Sequence, residues 1–178
     1  MQTRIVLLRG INLGPRNRIS MPELRELLER AGFEEVRTYV QSGNVILRSD
    51  ASSERVARDC RGLLADALGL DIDVIVRTHD ELAEVVRRNP LAKVAVNPKR
   101  YQVSFLEREL DASVVEELAA LATGAERLVA IGRELYAWHP DGVARSRLWA
   151  RLANRSLGVS ATARNWSTVT TLLAMADA

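Results

Sequence analysis

Four short stretches hold more polar chemistry than a connection between elements requires: RGINLGPRNR at residues 9–18, QSGN at 41–44, PDGVARSR at 140–147 and TARNW at 162–166. In the first, Gly10 and Gly14 free the backbone to turn and to approach a ligand closely. Arg9, Arg16 and Arg18 bring planar, fork-shaped donors that match phosphate or carboxylate. A helix starting after Ser20 adds free N–H groups and partial positive charge, both of which favour an anion. Asn12, and in the second stretch Gln41, Ser42 and Asn44, supply neutral donors and acceptors. The fourth stretch places Arg164 and Asn165 at the start of a last helix, where Asn165 is a good N-cap and a cation at Arg164 opposes the helix dipole and so asks for a partner. The candidate site is therefore Arg9, Gly10, Asn12, Arg16, Arg18, Gln41, Ser42, Asn44, Arg164 and Asn165, and the ligand it suits is a small anion, phosphate- or nucleotide-like.

Several residues of these stretches also have a plain structural use, which explains Gln41 and Arg164 less well than the rest. Gly43 and Asn44 are what a tight turn selects for backbone reasons, and Trp166 falls at core spacing on the last helix. Arg147, Arg151 and Arg155, at i, i+4 and i+8, form a basic stripe of the kind that is usually solvated. No catalytic group is assigned. Ser42 has no activating base nearby in sequence, and His139, a general base by type, has no evident orienting partner. Cys60 lies on an apolar helix face and reads as a small buried hydrophobe. With His79 and His139 the only histidines and Cys60 the only cysteine, no tetrahedral metal spacing exists. The phosphate-loop and dinucleotide fingerprints are both absent, so no cofactor follows from a motif.

Composition narrows the class. The chain has 178 residues, 47% apolar and 27% charged, enough for one full core or two small subdomains. Its isoelectric point near 9.0 suggests nucleic acid, but the net charge is only +2, and of 25 basic residues only Lys93 and Lys99 are lysine. So one-sided a choice reflects coding habit more than a phosphate surface, which uses both residues freely. The apolar run at residues 5–8 is too short for a signal peptide, and no segment reaches the roughly 20 apolar residues of a membrane span. A cytoplasmic protein is expected.

The elements that must position the patches follow from periodicity. Residues 3–9 read as a buried strand, and Ser20-Met21-Pro22-Glu23 opens a helix running to about Ala31, closed by Gly32. Residues 34–40 and 45–49 alternate about Gln41-Ser42-Gly43-Asn44 as a hairpin. Ser52 or Ser53 caps a helix whose apolar set is Val56, Cys60, Leu63, Leu64, Ala67 and Leu68. A strand at 72–77 completes a ferredoxin-like β-α-β-β-α-β order over residues 3–77, and a third helix, capped by Thr78 and Glu81 and ending near Arg88, closes the α+β subdomain 1–88. That topology brings the loop at 10–20 and the turn at 41–44 to the same end of one sheet. Asn89-Pro90 and Asn97-Pro98 bracket a linker, 89–100. A second, similar α+β series occupies 101–178: strands at 101–106, 126–131, 134–138 and 160–163, helices at 113–121 and 145–153, and a C-terminal helix from Trp166 to Ala176. The two series can equally form one compact unit, and their shared order suggests a structural duplication without residue-level repetition.

LRGIN near the N-terminus, YVQSGNV after the first helix, NPKR before the second series and ARNWSTVT near the C-terminus together resemble domain-of-unknown-function family 1697. The four motifs occur in order across nearly the whole chain. The resemblance implies a bacterial-type protein with no assigned activity. The family form of the third patch resembles Gly-Arg-Ser-Lys, where this chain has Ala144-Arg145-Ser146-Arg147, so a cationic contact is implied there and lysine chemistry is not. Two other functional classes stand beside the anion site: an RNA-binding module, for which the strands TRIVLLR and VILRS offer no aromatic, only Tyr39 on the second strand could serve and the RNP1 pattern is missing, and a protein-interaction domain without chemistry.

Overall fold

The structure, a computed structural model, describes residues 1–178 with the side chain of Ser156 excepted. It divides into two packed units, Met1–Glu84 with Leu172–Ala178, and Val85–Thr171.

In the first unit, β1 (Gln2–Leu8), α1 (Met21–Arg30), β2 (Glu34–Tyr39), β3 (Asn44–Ser49), α2 (Ser53–Leu68) and β4 (Val74–Thr78) follow one another, and α3 (His79–Arg88) begins there. The sheet order is β2-β3-β1-β4 with every neighbouring pair antiparallel, so β1 and β2 run parallel with β3 between them, as a split βαβ arrangement requires. One face of β1, through Val6 and Leu8, packs into a cluster with Leu24 and Leu28 of α1 and Val56, Cys60 and Leu64 of α2. The opposite face, Ile5 and Leu7, is equally buried. That double burial is why β1 reads as a continuous apolar run and not as an alternation.

Local chemistry fixes the boundaries. Ser20 Oγ accepts the Glu23 amide (3.2 Å) and Ser52 Oγ accepts the Arg55 amide (3.2 Å), each satisfying an orphan N–H of a first turn. Thr78 and Glu81 form a reciprocal capping box: the Thr78 amide donates to Glu81 Oε2 (2.8 Å) and the Glu81 amide to Thr78 Oγ1 (3.1 Å). At the other end of α2, Gly69 takes the left-handed conformation, φ 64°, that stops a helix. Ala67, expected on the core face of α2, is exposed, because the core stripe ends at Leu64 and Leu68.

The second unit repeats the order: β5 (Tyr101–Leu106), α4 (Ala112–Leu121), β6 (Arg127–Ile131), β7 (Glu134–Trp138), α5 (Arg147–Leu152) and β8 (Ala161–Asn165), followed by α6 (Trp166–Asp177). Its sheet, β6-β7-β5-β8, matches that of the first unit strand for strand. Leu106, Leu135, Ala137 and Ala161 cover one face against Leu118 of α4 and Leu148 and Leu152 of α5. On β5 and β7, Tyr101 and Tyr136 lie with Trp166 in an aromatic cluster, Trp166 stacking on Tyr101 at 4.8 Å between centroids. Trp166 is thus a packing residue, half-buried. The last strand is longer than expected and α5 is shorter. Ser146 caps α5 through the Trp149 amide (3.0 Å), and the helix ends at Leu152, so Arg155 lies in a 3-10 turn and the basic stripe does not run along one helix.

Candidate functional site

The loop after β1 and the β2–β3 turn are locked together. Leu8 N donates to Gly43 O (2.9 Å) and Arg9 N to Asp73 O (3.0 Å), which fixes where the chain leaves the sheet. Asn12, in the left-handed region at φ 56°, spends its whole side chain on the fold: Nδ2 donates to Ile19 O (2.8 Å) and to Gln41 O (2.7 Å), and Oδ1 accepts the Ile19 amide (3.0 Å). Asn17, also left-handed at φ 53°, reaches Gly10 O at 3.4 Å and accepts the Asn12 amide on its carbonyl (3.1 Å). The loop is a ring of asparagine contacts clamped to a hairpin.

Gly43 is the close-contact point. Its φ of 78° is left-handed, and a Cβ built on it would lie 2.8 Å from Leu8 Cβ and 2.9 Å from Ile11 Cδ1. Asn44 is fully buried and donates to Tyr39 O (3.2 Å) and Ser42 Oγ (3.1 Å). Arg9 is mostly buried and lies 3.7 Å from the Asp73 carboxylate. Of the sequence candidates, then, Asn12 and Asn44 build the site, Arg9 has an acidic neighbour, and Arg16, Arg18, Gln41 and Ser42 present exposed side chains. Gly10 takes φ 70° with nothing near its missing Cβ, leaving the backbone open to approach.

Two large apolar side chains share this tip, Leu13 at 73% and Val40 at 53% exposure, one residue to either side of the Asn12 to Gln41 bond. Val40 has φ 50°, which a β-branched residue adopts at a cost of roughly 1–2 kcal/mol. Residues 9–20 contain no acidic side chain to neutralise Arg16 and Arg18. The tip thus sets two exposed cations beside the exposed Gln41 side chain.

Arg164 and Asn165 belong to the second unit. Asn165 Oδ1 caps α6 through the Thr168 amide (2.9 Å). Arg164 donates to Thr162 Oγ1 and Ala163 O, both at 2.8 Å, and burial draws its guanidinium down to about 10.

A second cluster escaped the sequence reading. His139, fully buried at the end of β7, has Nδ1 2.6 Å from Glu126 Oε2, and Ser146 Oγ donates to the same oxygen (2.6 Å). Burial on its own would raise the Glu126 carboxyl, but hydrogen bonds from Ser146, His139 and Thr123 outweigh it and hold the group below the ordinary carboxylate range. A signal for the pair did exist. The hairpin register pairs Arg127 with Trp138, and continuing it by one residue sets Glu126 opposite His139.

Cys60 is fully buried, its thiol pushed up to about 12 by desolvation and by Asp59, which fits a core residue and not a nucleophile. Among the described residues no group of three His, Cys, Asp or Glu side chains is placed to hold a metal ion, and no helix is long and apolar enough to cross a membrane.

Residues 1–136 match the family described as protein of unknown function, DUF1697. The chain belongs to this family. A solved structure with the same fold as this DUF1697 chain is that of a conserved bacterial protein from Streptococcus pneumoniae, 22% identical, with a TM-score of 0.79 over 98% of each chain. No curated protein matches.

Proposed function

We propose that the tip of the first unit binds a small anionic ligand, phosphate- or nucleotide-like. The observation that carries this reading is the exposure of Arg16 and Arg18 on an acid-free loop that Asn12 clamps to the hairpin turn at Gln41. A binding loop held by its own side chains loses little freedom on association, which favours affinity. Leu13 and Val40 beside the cations suit a ligand with an apolar, flat part next to its charge, as a nucleotide has.

The sheet speaks against base stacking of the RNA-module kind. Ile5 and Leu7 on one face of β1, and Val6 and Leu8 on the other, are all buried, so the central strand offers no platform.

The test is thermal unfolding against inorganic phosphate, AMP, ATP, citrate and a short RNA at fixed ionic strength. A ligand of the folded state alone adds RT ln(1 + [L]/Kd), about 2.7 kcal/mol at a hundredfold excess over Kd. A shift with phosphate or a nucleotide that the Arg16→Ala, Arg18→Ala double variant loses supports the reading. No shift from any anion contradicts it.

A further inference from the structure

The second unit holds a buried hydrogen-bond cluster whose accounting is complete except at one atom. Glu126 accepts four donors: His139 Nδ1 and Ser146 Oγ on Oε2, at 2.6 Å each, and the Thr123 amide (3.2 Å) and Thr123 Oγ1 (3.4 Å) on Oε1. An ionised carboxylate only accepts, so Nδ1 carries the imidazole hydrogen. Ser146 cannot supply a hydrogen to Nδ1, 3.2 Å away, because its hydroxyl hydrogen goes to Glu126 while its oxygen takes the Trp149 amide. For a neutral imidazole the network therefore assigns one tautomer, with the hydrogen on Nδ1 and the lone pair on Nε2. That nitrogen is buried and has no hydrogen-bond partner among the described residues. Buried polar atoms without partners are rare in folded proteins and ask for an explanation.

We propose that Nε2 of His139 is the proton-accepting group of a second ligand site, oriented by Glu126 and Ser146, for a small anionic molecule that carries an O–H or N–H. The proton leaves the ligand for Nε2, the ligand heteroatom keeps the electron pair, and the imidazolium so formed is balanced through Nδ1–H by the Glu126 carboxylate. A carboxylate behind an imidazole fixes its tautomer and the orientation of its ring.

Access has a structural basis. Between His139 and Ser146 the chain has neither helix nor strand: Gly142 N bonds His139 O (2.9 Å) and Ser146 N bonds Val143 O (3.1 Å), two successive turns. Asp141, Ala144 and Arg145 in those turns are exposed, as is Arg147 after them. Segments of this kind open locally well below the cost of unfolding the domain. Trp149, half-buried, meets the imidazole in a T-shaped arrangement at 5.8 Å between ring centroids. Arg145 and Arg147 against the single acid Asp141 give the entrance its preference for anions.

The test uses the intact protein and diethyl pyrocarbonate, which acylates an unprotonated imidazole nitrogen, with His79 as the other histidine in the chain. Nitrogen-15 spectra of the wild type come first and need no variant: the expected pattern at neutral pH is hydrogen on Nδ1 and a bare Nε2, and an Nε2–H tautomer overturns the proposal. Peptide mapping then follows acylation of His139. The expected rate exceeds that of global unfolding, measured by hydrogen exchange, by about tenfold or more. Trp149→Ala raises that rate and Glu126→Gln lowers it. Labelling of His139 only at the global unfolding rate makes it a sealed structural histidine and overturns the proposal, whatever the variants do.

Discussion

Asn12 Nδ2 and the Gln41 carbonyl oxygen, from residues twenty-nine positions apart, lie 2.7 Å from each other, and through this bond the β1–α1 loop and the β2–β3 turn become one surface. The same amide nitrogen also holds Ile19 O, so one side chain sets both the shape of the loop and its docking to the hairpin.

Removing that side chain should therefore be costly. Asn12→Ala leaves the Ile19 amide and two carbonyls without their partners and places alanine at φ 56°, where the expected loss is about 2–4 kcal/mol. Urea unfolding of wild type and variant measures it. A loss below 0.5 kcal/mol, on the order of an ordinary surface change, would show that the loop does not depend on this clamp.

Gly14 and Gly43 share a φ of 78° and differ only in their surroundings, which separates two reasons for a glycine. Nothing lies within 4 Å of a Cβ built on Gly14, so Gly14→Ala costs about 1 kcal/mol for conformation alone. Gly43→Ala must also push Leu8 and Ile11 out of the core, adding roughly 1–3 kcal/mol of overpacking. Paired denaturation curves check the ranking, and equal losses would contradict the close approach.

Val40 is the strained, exposed residue at the tip. Asparagine tolerates the left-handed region, so Val40→Asn should stabilise the protein by roughly 0.5–1 kcal/mol. The same variant should weaken nucleotide binding if Val40 contacts an apolar part of the ligand. A destabilised variant, seen as a lower Tm, would contradict the strain.

His79 Nε2 bonds Asp177 on α6 and its Nδ1 lies 3.3 Å from Asp80, and these hydrogen bonds raise the imidazole above its usual value near 6.5. A raised folded value means that the pair stabilises fully below the unfolded pKa of about 6.5 and stops doing so as pH rises through the folded one. Both partners are solvent-exposed, so the effect is small. Asp177→Asn should lower Tm at pH 5.5 and leave it unchanged at pH 9; a deficit that is the same at both would contradict the assignment.

Glu126 carries the opposite sign. Its depressed value makes the carboxylate stabilising above the unfolded pKa of about 4.3, with that contribution lost as pH falls through the folded value. The stability gap between wild type and Glu126→Gln should thus be widest near neutral pH and narrow on acidification. A gap that widens towards acid pH reverses the sign and refutes the network.

Much of this frame was written in local chemistry. Ser20, Ser52 and the Thr78–Glu81 pair mark helix starts because capping is decided within four residues, and the fold order followed from them. The topology then placed residues 10–20 beside 41–44, as the Asn12 bond shows. What the chain did not disclose is which polar residues are consumed by the fold. Asn12 and Asn44 look like ligand contacts in sequence and prove to be internal clamps, because their partners are backbone atoms brought near by tertiary structure. For His139 the converse holds: its type marks it as a candidate base, and its orienting partner is what the sequence does not show. Its partner Glu126 is remote in sequence, yet one step along the β6–β7 register would have supplied it.

The most direct measurement of the central claim is a titration of the isotope-labelled protein with inorganic phosphate and with AMP, followed amide by amide. The account predicts saturable shifts confined to residues 10–20 and 40–44, lost in the Arg16→Ala, Arg18→Ala double variant. Shifts that saturate elsewhere, or none at ligand concentrations well above the millimolar range, would contradict it.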